Sequence, residues 1–329
     1  MQVLIDDNIP RDAWRELLLN SDFSTPFQTV EFYDFFNSVT GYSAIALAVE
    51  DSGKLCALVV ATIQKENGIK GYFSKRAIIY GGPVLHGDWR NELYLLLNEL
   101  NHRLRDKVIY IQIRNFHDYS YYKEIFLELG WLYEPYLNFR LNCTSQEIVF
   151  NQLNNNRKRQ IKKAIKNGVA IKEATSMLEV HEFYEILKHL YVHRVKKPLP
   201  HLTFFESFYN QNIGKYLIVL YKDRIVGGIM CPMQAGKAIY EFYIAGLDKE
   251  YKDISPSVMA TWAAIEYGYK NGFQYFDFMG AGKPNHNYGV RDFKEKFGGV
   301  LVEHGRYLKI LNKPLYNLGK IYITLKSKG

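Results

Sequence analysis

Cysteine is scarce in this chain of 329 residues. There are three, Cys56, Cys143 and Cys231, far apart and each in apolar, strand-like surroundings. An odd, scattered set excludes a disulfide-stapled framework and offers no thiolate cluster for zinc or redox chemistry, so buried free thiols are expected. Long apolar runs are missing too. The longest, Leu55–Ile63, has nine residues, against the roughly 20 a membrane-spanning helix needs. The opening MQVLIDDNIP has no basic start and sets Asp6 and Asp7 where a leader's apolar core would continue. A cytoplasmic chain without an integral membrane segment is the expectation. With 47% hydrophobic and 23% charged residues, disordered, collagen-like and coiled-coil classes fall away.

Several catalytic signatures are absent as well. No GxGxxG follows a strand, and no Walker loop, HExxH or GxSxG occurs, which removes dehydrogenase, P-loop, zincin and α/β-hydrolase chemistry. His189 and His193 stand at i and i+4 on a helical stretch, but with no third ligand nearby no metal site is expected.

What the chain does have is positive charge and aromatic rings. Lys and Arg number 42 against 34 Asp and Glu, a net charge of +8. That excess attracts polyanions at long range, leaving nucleic acid, nucleotide-linked substrates and anionic membrane surfaces open as partners. The 26 Tyr and 20 Phe fit either large aromatic cores or a groove suited to a sugar.

The pattern along the chain repeats. After a short opening helix and a stretch with Phe32, Phe35 and Phe36 on one helical face, two strand-like runs, Ala44–Val49 and Leu55–Ile63, flank the hairpin signal Asp51-Ser52-Gly53. A strand over 76–85 ending in Gly81-Gly82-Pro83, a helix over 90–105, a strand at Val108–Ile113, a helix over 119–129 and an extended run Trp131–Leu141 complete a first half. The second half follows the same order: hairpin strands Tyr216–Tyr221 and Ile225–Met233, a third strand Ala238–Ala245, a helix Ser255–Asn271 with Pro256 at its first position and Gly272 beyond its end, and a strand Tyr275–Met279. The expected fold class is α/β (α+β), two similar units, each a mostly antiparallel sheet flanked by helices, divided as 1–150 and 151–329. Between them lies a basic amphipathic helix over 154–168, with Ile161, Ala164 and Ile165 on one face and Arg157, Lys158, Arg159, Lys162, Lys163 and Lys166 elsewhere. It reads as a solvated linker face or as a phosphate-binding rim.

Chemical signals concentrate in residues 275–299. Asp277 interrupts an aromatic strand and needs partners if buried, either as an anchor for the next loop or as an active-site acid. Gly280 and Gly282 allow a tight path past the strand end, where ligands bind in α/β sheets. Lys294 follows Phe293 on a short helix that Phe297 also pins, which gives a held cation suited to a developing oxyanion. Tyr243 is a candidate proton carrier or a structural ring. Arg194 either faces a cleft or caps a helix dipole.

The run AlaThrTrpAlaAlaIleGluTyrGlyTyrLysAsnGlyPheGlnTyrPheAspPheMetGly (260–280) and PheLysGluLysPheGlyGly (293–299) resemble the C-terminal signature of the FemA/FemB/FemX peptidoglycan aminoacyltransferases, within the GNAT-fold acyltransferase superfamily. The basic helix with Arg157 and Arg159, and ThrProPheGlnThr (25–29), are similar to further stretches of that family. The resemblance implies two tandem GNAT-like domains without the long coiled-coil arm of some members. It also implies transfer of an aminoacyl group from aminoacyl-tRNA to an amine of a cell-wall precursor, with no cofactor. The family's Phe-Lys pair would map onto Phe293 and Lys294, with Lys294 stabilising the transfer intermediate; beside them Tyr243 joins the catalytic candidates, and Arg157, Arg159, Arg194, Asp277 and Tyr288 are the substrate-binding ones. The first unit would bind a nucleotide- or lipid-linked envelope precursor around Tyr80 and Gly82, where Gly81-Gly82-Pro83 replaces the family's Arg-Gly-Pro and removes a cation. No DNA partner is expected, and peripheral membrane association stays open.

The rival reading is an acyl-CoA-dependent N-acyltransferase acting on an amino sugar or another envelope precursor. Coenzyme-A users of the superfamily present a Gly-rich loop to pyrophosphate at the N-terminus of the central helix. Here the stretch is AspLysGluTyrLysAspIleSerProSer (248–257), with no glycine and three acids. Ser255 and Ser257 remain its phosphate-binding candidates. A fold retained without activity is a further alternative, against which the intact 293–299 segment argues.

Overall fold

The computed structural model describes residues 1–65 and 74–326. The chain opens on an edge strand, β1 (Gln2–Ile5), ahead of the first helix, α1 (Arg11–Asn20). Helix α2 (Val30–Ser38) starts at Thr29, whose side chain accepts from Phe32 N, and buries Phe32, Phe35 and Phe36 as their spacing predicts. Then come β2 (Tyr42–Asp51) and β3 (Lys54–Gln64), joined by Ser52-Gly53 with both residues at positive φ, a two-residue hairpin turn. Strands β4 (Arg76–Gly81) and β5 (Val84–Leu85), helix α3 (Arg90–Leu104), β6 (Tyr110–Asn115), helix α4 (Lys123–Glu128) and β7 (Leu132–Glu134) follow.

In the first unit, residues 1–135 and 304–329, the sheet order is β1-β2-β3-β4-β6-β16-β7, where β16 is Arg306–Ile310. The β4/β6 pair is parallel, bridged by α3, and its other pairings are antiparallel. Gln28 explains the ThrProPheGlnThr stretch. Fully buried, its side chain donates to the carbonyls of Val60 and Tyr80 and accepts from Val60 N, tying β3 to β4.

The second unit, residues 136–303, repeats the plan with β8 (Leu137–Asn142), helices α5 (Gln146–Gln152) and α6 (Asn155–Lys166), β9 (Ala170–Glu173), helices α7 (Met177–Leu190) and α8 (Leu202–Asn210), and the hairpin β10 (Gly214–Tyr221) and β11 (Arg224–Gln234). It closes with β12 (Ala238–Tyr240), β13 (Tyr243–Gly246), helix α9 (Pro256–Lys270), β14 (Tyr275–Asp277), helix α10 (Gly289–Glu295) and β15 (Val300–Glu303). The sheet order is β15-β8-β14-β12-β11-β10-β9, with β13 also on β11 and the β12/β14 pair parallel. Helix α9 buries ten of its fifteen residues, placing Trp262 and Ile265 in one core with Leu217, Ile229 and Phe276.

Two expectations change. The extended run 131–141 is cut at Pro135: β7 stays in the first sheet, while β8 lies between β14 and β15 of the second. Conversely, β16 follows β15 in sequence yet lies between β6 and β7 of the first sheet. The first sheet is thus completed by a strand from beyond the second unit, which is itself one continuous run beginning with β8, so the division falls at 135/136 with a return at 304 where the sequence reading set one crossing at 150/151. The basic helix is part of the second unit; it burrows Ile161 and Ala164 into that core and is capped by the Asn154 side chain on Arg157 N.

Candidate active site

The third strand of the second unit is interrupted at Glu241-Phe242. Before the break, β12 runs parallel to β14 as far as Tyr240 and Asp277; after it, β13 pairs with β11 alone. Past Asp277 the other strand turns away, and Phe278 N donates to Phe139 O. The two parallel strands therefore splay at their carboxyl ends, the place where α/β sheets present backbone groups to ligands.

Lys294 fills this opening. It is 7% exposed, and its Nζ donates to Phe278 O at 2.6 Å, to Gly280 O at 2.9 Å and to Glu241 Oε1 at 2.8 Å. All three ammonium donors are thus engaged at the strand ends. Glu241 is buried, and its Oε2 has no hydrogen-bond partner. Burial pushes its carboxyl above the usual carboxylate range, the Lys294 charge pulls it back, and Asp277 pushes it further up. Glu241 is the central residue that the sequence reading missed. The signal was there, an acid inside the aromatic strand IleTyrGluPheTyr (239–243), by the same logic that singled out Asp277.

Asp277 is an anchor. Fully buried, it accepts from Asn138 Nδ2 at 2.8 Å, Arg140 Nε at 3.1 Å and Met279 N at 2.7 Å, while Asn138 Oδ1 receives Gly280 N at 2.7 Å. These bonds hold Met279 at φ 55°, a left-handed conformation uncommon for a side chain of this size. Arg291 completes the loop by donating to the carbonyls of Ala281, Lys283 and Pro284. Tyr288, 39% exposed, precedes α10 and packs against Gly282, where a Cβ would stand 2.8 Å from its ring. The motif's Gly298 and Gly299 have positive φ, and a Cβ on either would lie within 2.5 Å of the carbonyl oxygen of Gln152 or Arg140. Only glycine fits there.

Arg157 does not stand on an exposed rim. It is 3% exposed, its guanidinium lies 4.3 Å from the Phe293 ring centre and 4.4 Å from that of Phe297, and it donates to Gln160 Oε1 at 2.7 Å and Phe293 O at 2.8 Å. Burial lowers it to about 10. Phe293, the expected catalytic partner, is therefore a platform for Arg157, which pins the helix that carries Lys294. Arg159 is exposed. Tyr243 is half-buried among Tyr191, Phe204, Phe205 and Phe242. Arg194 is exposed on a π-helical turn that extends α7.

At the start of α9, Ser255 occupies the cap position with φ 47° and makes no side-chain cap bond. Asp248 does the capping: it accepts from Ser257 N at 3.0 Å and from the Ser257 hydroxyl. An anion from the chain itself already sits on the positive end of this helix. Ser257 is consequently committed, which leaves Ser255 alone of the two serines without a side-chain bond at this helix end.

In the first unit Tyr80 is 6% exposed, stacked on Phe27 and Phe36 under the Arg114 guanidinium, so its ring is core. A Cβ at Gly82 would fall 2.5 Å from the Tyr119 hydroxyl, which donates to Pro83 O; the glycine is there for packing against Tyr119. The three cysteines are free and buried. His193 Nδ1 lies 2.9 Å from the His189 carbonyl, and among the described residues no three His, Cys, Asp or Glu side chains cluster as a metal site. Among the described residues, too, no helix is long and apolar enough to cross a membrane.

A hairpin, a parallel pair bridged by a buried helix, and strands splayed at that pair's end define the second unit as an acyltransferase-type α/β domain, and residues 152–295 match a family model described as an acetyltransferase (GNAT) domain. The crystal structure of FemX superposes with a TM-score of 0.73 at 15% identity, covering 97% of this chain and 99% of that one. L-PGS from Bacillus licheniformis gives 0.59 at 14% identity, covering 95% and 96%. A tandem GNAT protein from the clavulanic acid biosynthesis pathway gives 0.60 at 8% identity, covering 94% and 99%. No curated protein matches the sequence. The chain thus has the FemX-like fold of two tandem GNAT domains.

Proposed function

We propose that this protein is an aminoacyltransferase that moves an aminoacyl group from aminoacyl-tRNA to an amine of a peptidoglycan precursor. The observation that carries the choice of donor is Asp248. Its carboxylate holds the Ser257 amide and hydroxyl at the N-terminus of α9, the position where a coenzyme-A pyrophosphate would need free amides. The likeness to FemX and the 293–299 motif support the acceptor class. In this reaction the neutral amine attacks the ester carbonyl carbon, a C–N bond forms, and the C–O bond to the ribose breaks. Of the amine's two protons, the ribose oxygen takes one and the amide keeps the other. Lys294, held at the splay, stabilises the oxyanion of the intermediate once the substrate oxygen takes the place of one of its three acceptors. Glu241 keeps the ammonium aimed.

The acyl-CoA reading draws on the acetyltransferase description of the matched family model. A mass-spectrometric transfer assay separates the two, with envelope precursors offered either a charged tRNA pool or acetyl-CoA, each with an RNase control. A mass gain of an amino-acid residue that RNase abolishes is the expected result. A gain of an acetyl group that survives RNase would overturn the proposal.

A further inference from the structure

Helix α6 has two distinct faces. Ile161, Ala164 and Arg157 point inward. Asn156, Arg159, Gln160 and Lys163, at i, i+3, i+4 and i+7, make one polar stripe. Between this stripe and Lys296, the residue that follows α10, lies an open pocket of about 430 Å³. Its walls carry four cations, Arg157, Arg159, Lys163 and Lys296, and no acid. Lys163 reaches Asp253 at 2.6 Å, but that carboxylate is itself largely exposed, so solvent and salt weaken the pair.

Arg157 is the second, independent observation. It lines the pocket, only 3% of it is exposed, and its Nε donor has no hydrogen-bond partner while both terminal nitrogens are engaged. With both terminal nitrogens bonded and Nε closed to solvent, this guanidinium adds a fixed positive charge behind the pocket wall, and an oxygen anion in the pocket offsets that buried charge. Arg forks and Lys point charges around a cavity of this size suit a tetrahedral oxyanion.

We propose that this pocket binds a phosphate of the RNA donor's backbone, an inference that rests on the aminoacyl-tRNA reading. The positive charge continues along α6 beyond the pocket, at Lys158, Lys162 and Lys166, which suits a chain of phosphates better than a single one. Such a contact positions the RNA without reading its sequence. It also joins the site already described, because Arg157 donates to the carbonyl of Phe293, the residue before Lys294.

The test compares full-length wild type, R159A/K296A in the pocket, and K162A/K166A, which removes the same charge from α6 outside it. Affinity for deacylated tRNA is measured across salt concentrations, and UDP stands in as a small phosphate source. The expected result is a loss of about tenfold for R159A/K296A, the size of one charge-assisted hydrogen bond. Its salt slope should fall by about one, with a smaller loss of affinity for K162A/K166A, whose lysines meet the flanking phosphates, and none in UDP binding. If all three proteins bind tRNA alike, or both variants lose equally, the pocket proposal is overturned while the donor reading stands. If wild type does not bind tRNA and R159A/K296A weakens UDP instead, the donor reading fails, and the site takes phosphate from the nucleotide-linked precursor.

Discussion

Replacing Lys294 by methionine keeps the length of the side chain and removes its charge. The loss strands the Glu241 carboxylate at 8% exposure, and it also takes the donor from Phe278 O and Gly280 O. Breaking a buried pair by removing one partner costs about 3–5 kcal/mol. For a unit spanning residues 136–303, at about 2–4 °C per kcal/mol, the second unit's melting transition should drop by on the order of 10 °C. Adding Glu241→Gln removes the stranded charge and leaves only the two carbonyls short of a donor, so K294M/E241Q should lie about 1–2 kcal/mol below wild type. The second substitution thus restores about 2–3 kcal/mol of the loss. Equilibrium urea unfolding, followed by the fluorescence of Trp262 in a background lacking the other tryptophans, gives all four corners. A single variant within about 1 kcal/mol of wild type, or a Glu241→Gln cost that simply adds to it, would refute the account of a dry, mutually dependent pair.

Other perturbations follow the same reasoning. Asp248→Ala removes the cap of α9, costs about 1 kcal/mol in a thermal melt, and opens the helix N-terminus, so weak acetyl-CoA binding should become measurable by calorimetry; unchanged stability would show that Asp248 is not the cap. Arg157→Lys keeps the charge but loses the planar fork over Phe293 and Phe297, and a loss of about 2 kcal/mol is expected, with transfer slowed because the Lys294 helix is no longer pinned; full stability and turnover would contradict this. Burial pushes the Cys143 thiol from 9.0 to about 12. A folded value above the unfolded one favours the native state fully below pH 9, and that contribution fades as pH rises towards 12. Cys143→Ala should therefore flatten the alkaline fall in stability over that window, and an unchanged pH profile would count against the buried thiol as its source.

Part of this organisation is legible in the amino-acid sequence. The hairpin at Ser52-Gly53, the helix behind Pro256 and the aromatic face of α2 are local, since turn chemistry, a fixed proline φ and helical spacing act within a few residues. Asp277 is legible as an anchor because a carboxylate between two phenylalanines has to find partners. Its partners, Asn138 and Arg140, are not, because they stand 139 and 137 residues away in sequence, on a strand that the extended run 131–141 gives no reason to assign to the other sheet. Arg157 shows the opposite failure. Six basic residues on one helix read as a surface, and nothing local says that the first turns inward onto Phe293 and Phe297.

The sequence by itself determined the two repeated units, the buried thiols and the short helix that presents Lys294, all consequences of periodicity, capping and composition. Only the tertiary structure decided which strand completes which sheet, that Lys294 spends its three donors on Glu241 and two carbonyls, that Asp248 occupies the end of α9, and that a buried arginine opens onto a cationic pocket. These depend on groups far apart in the chain meeting where water is excluded, and there each polar atom's partner is set by what packing brings within reach.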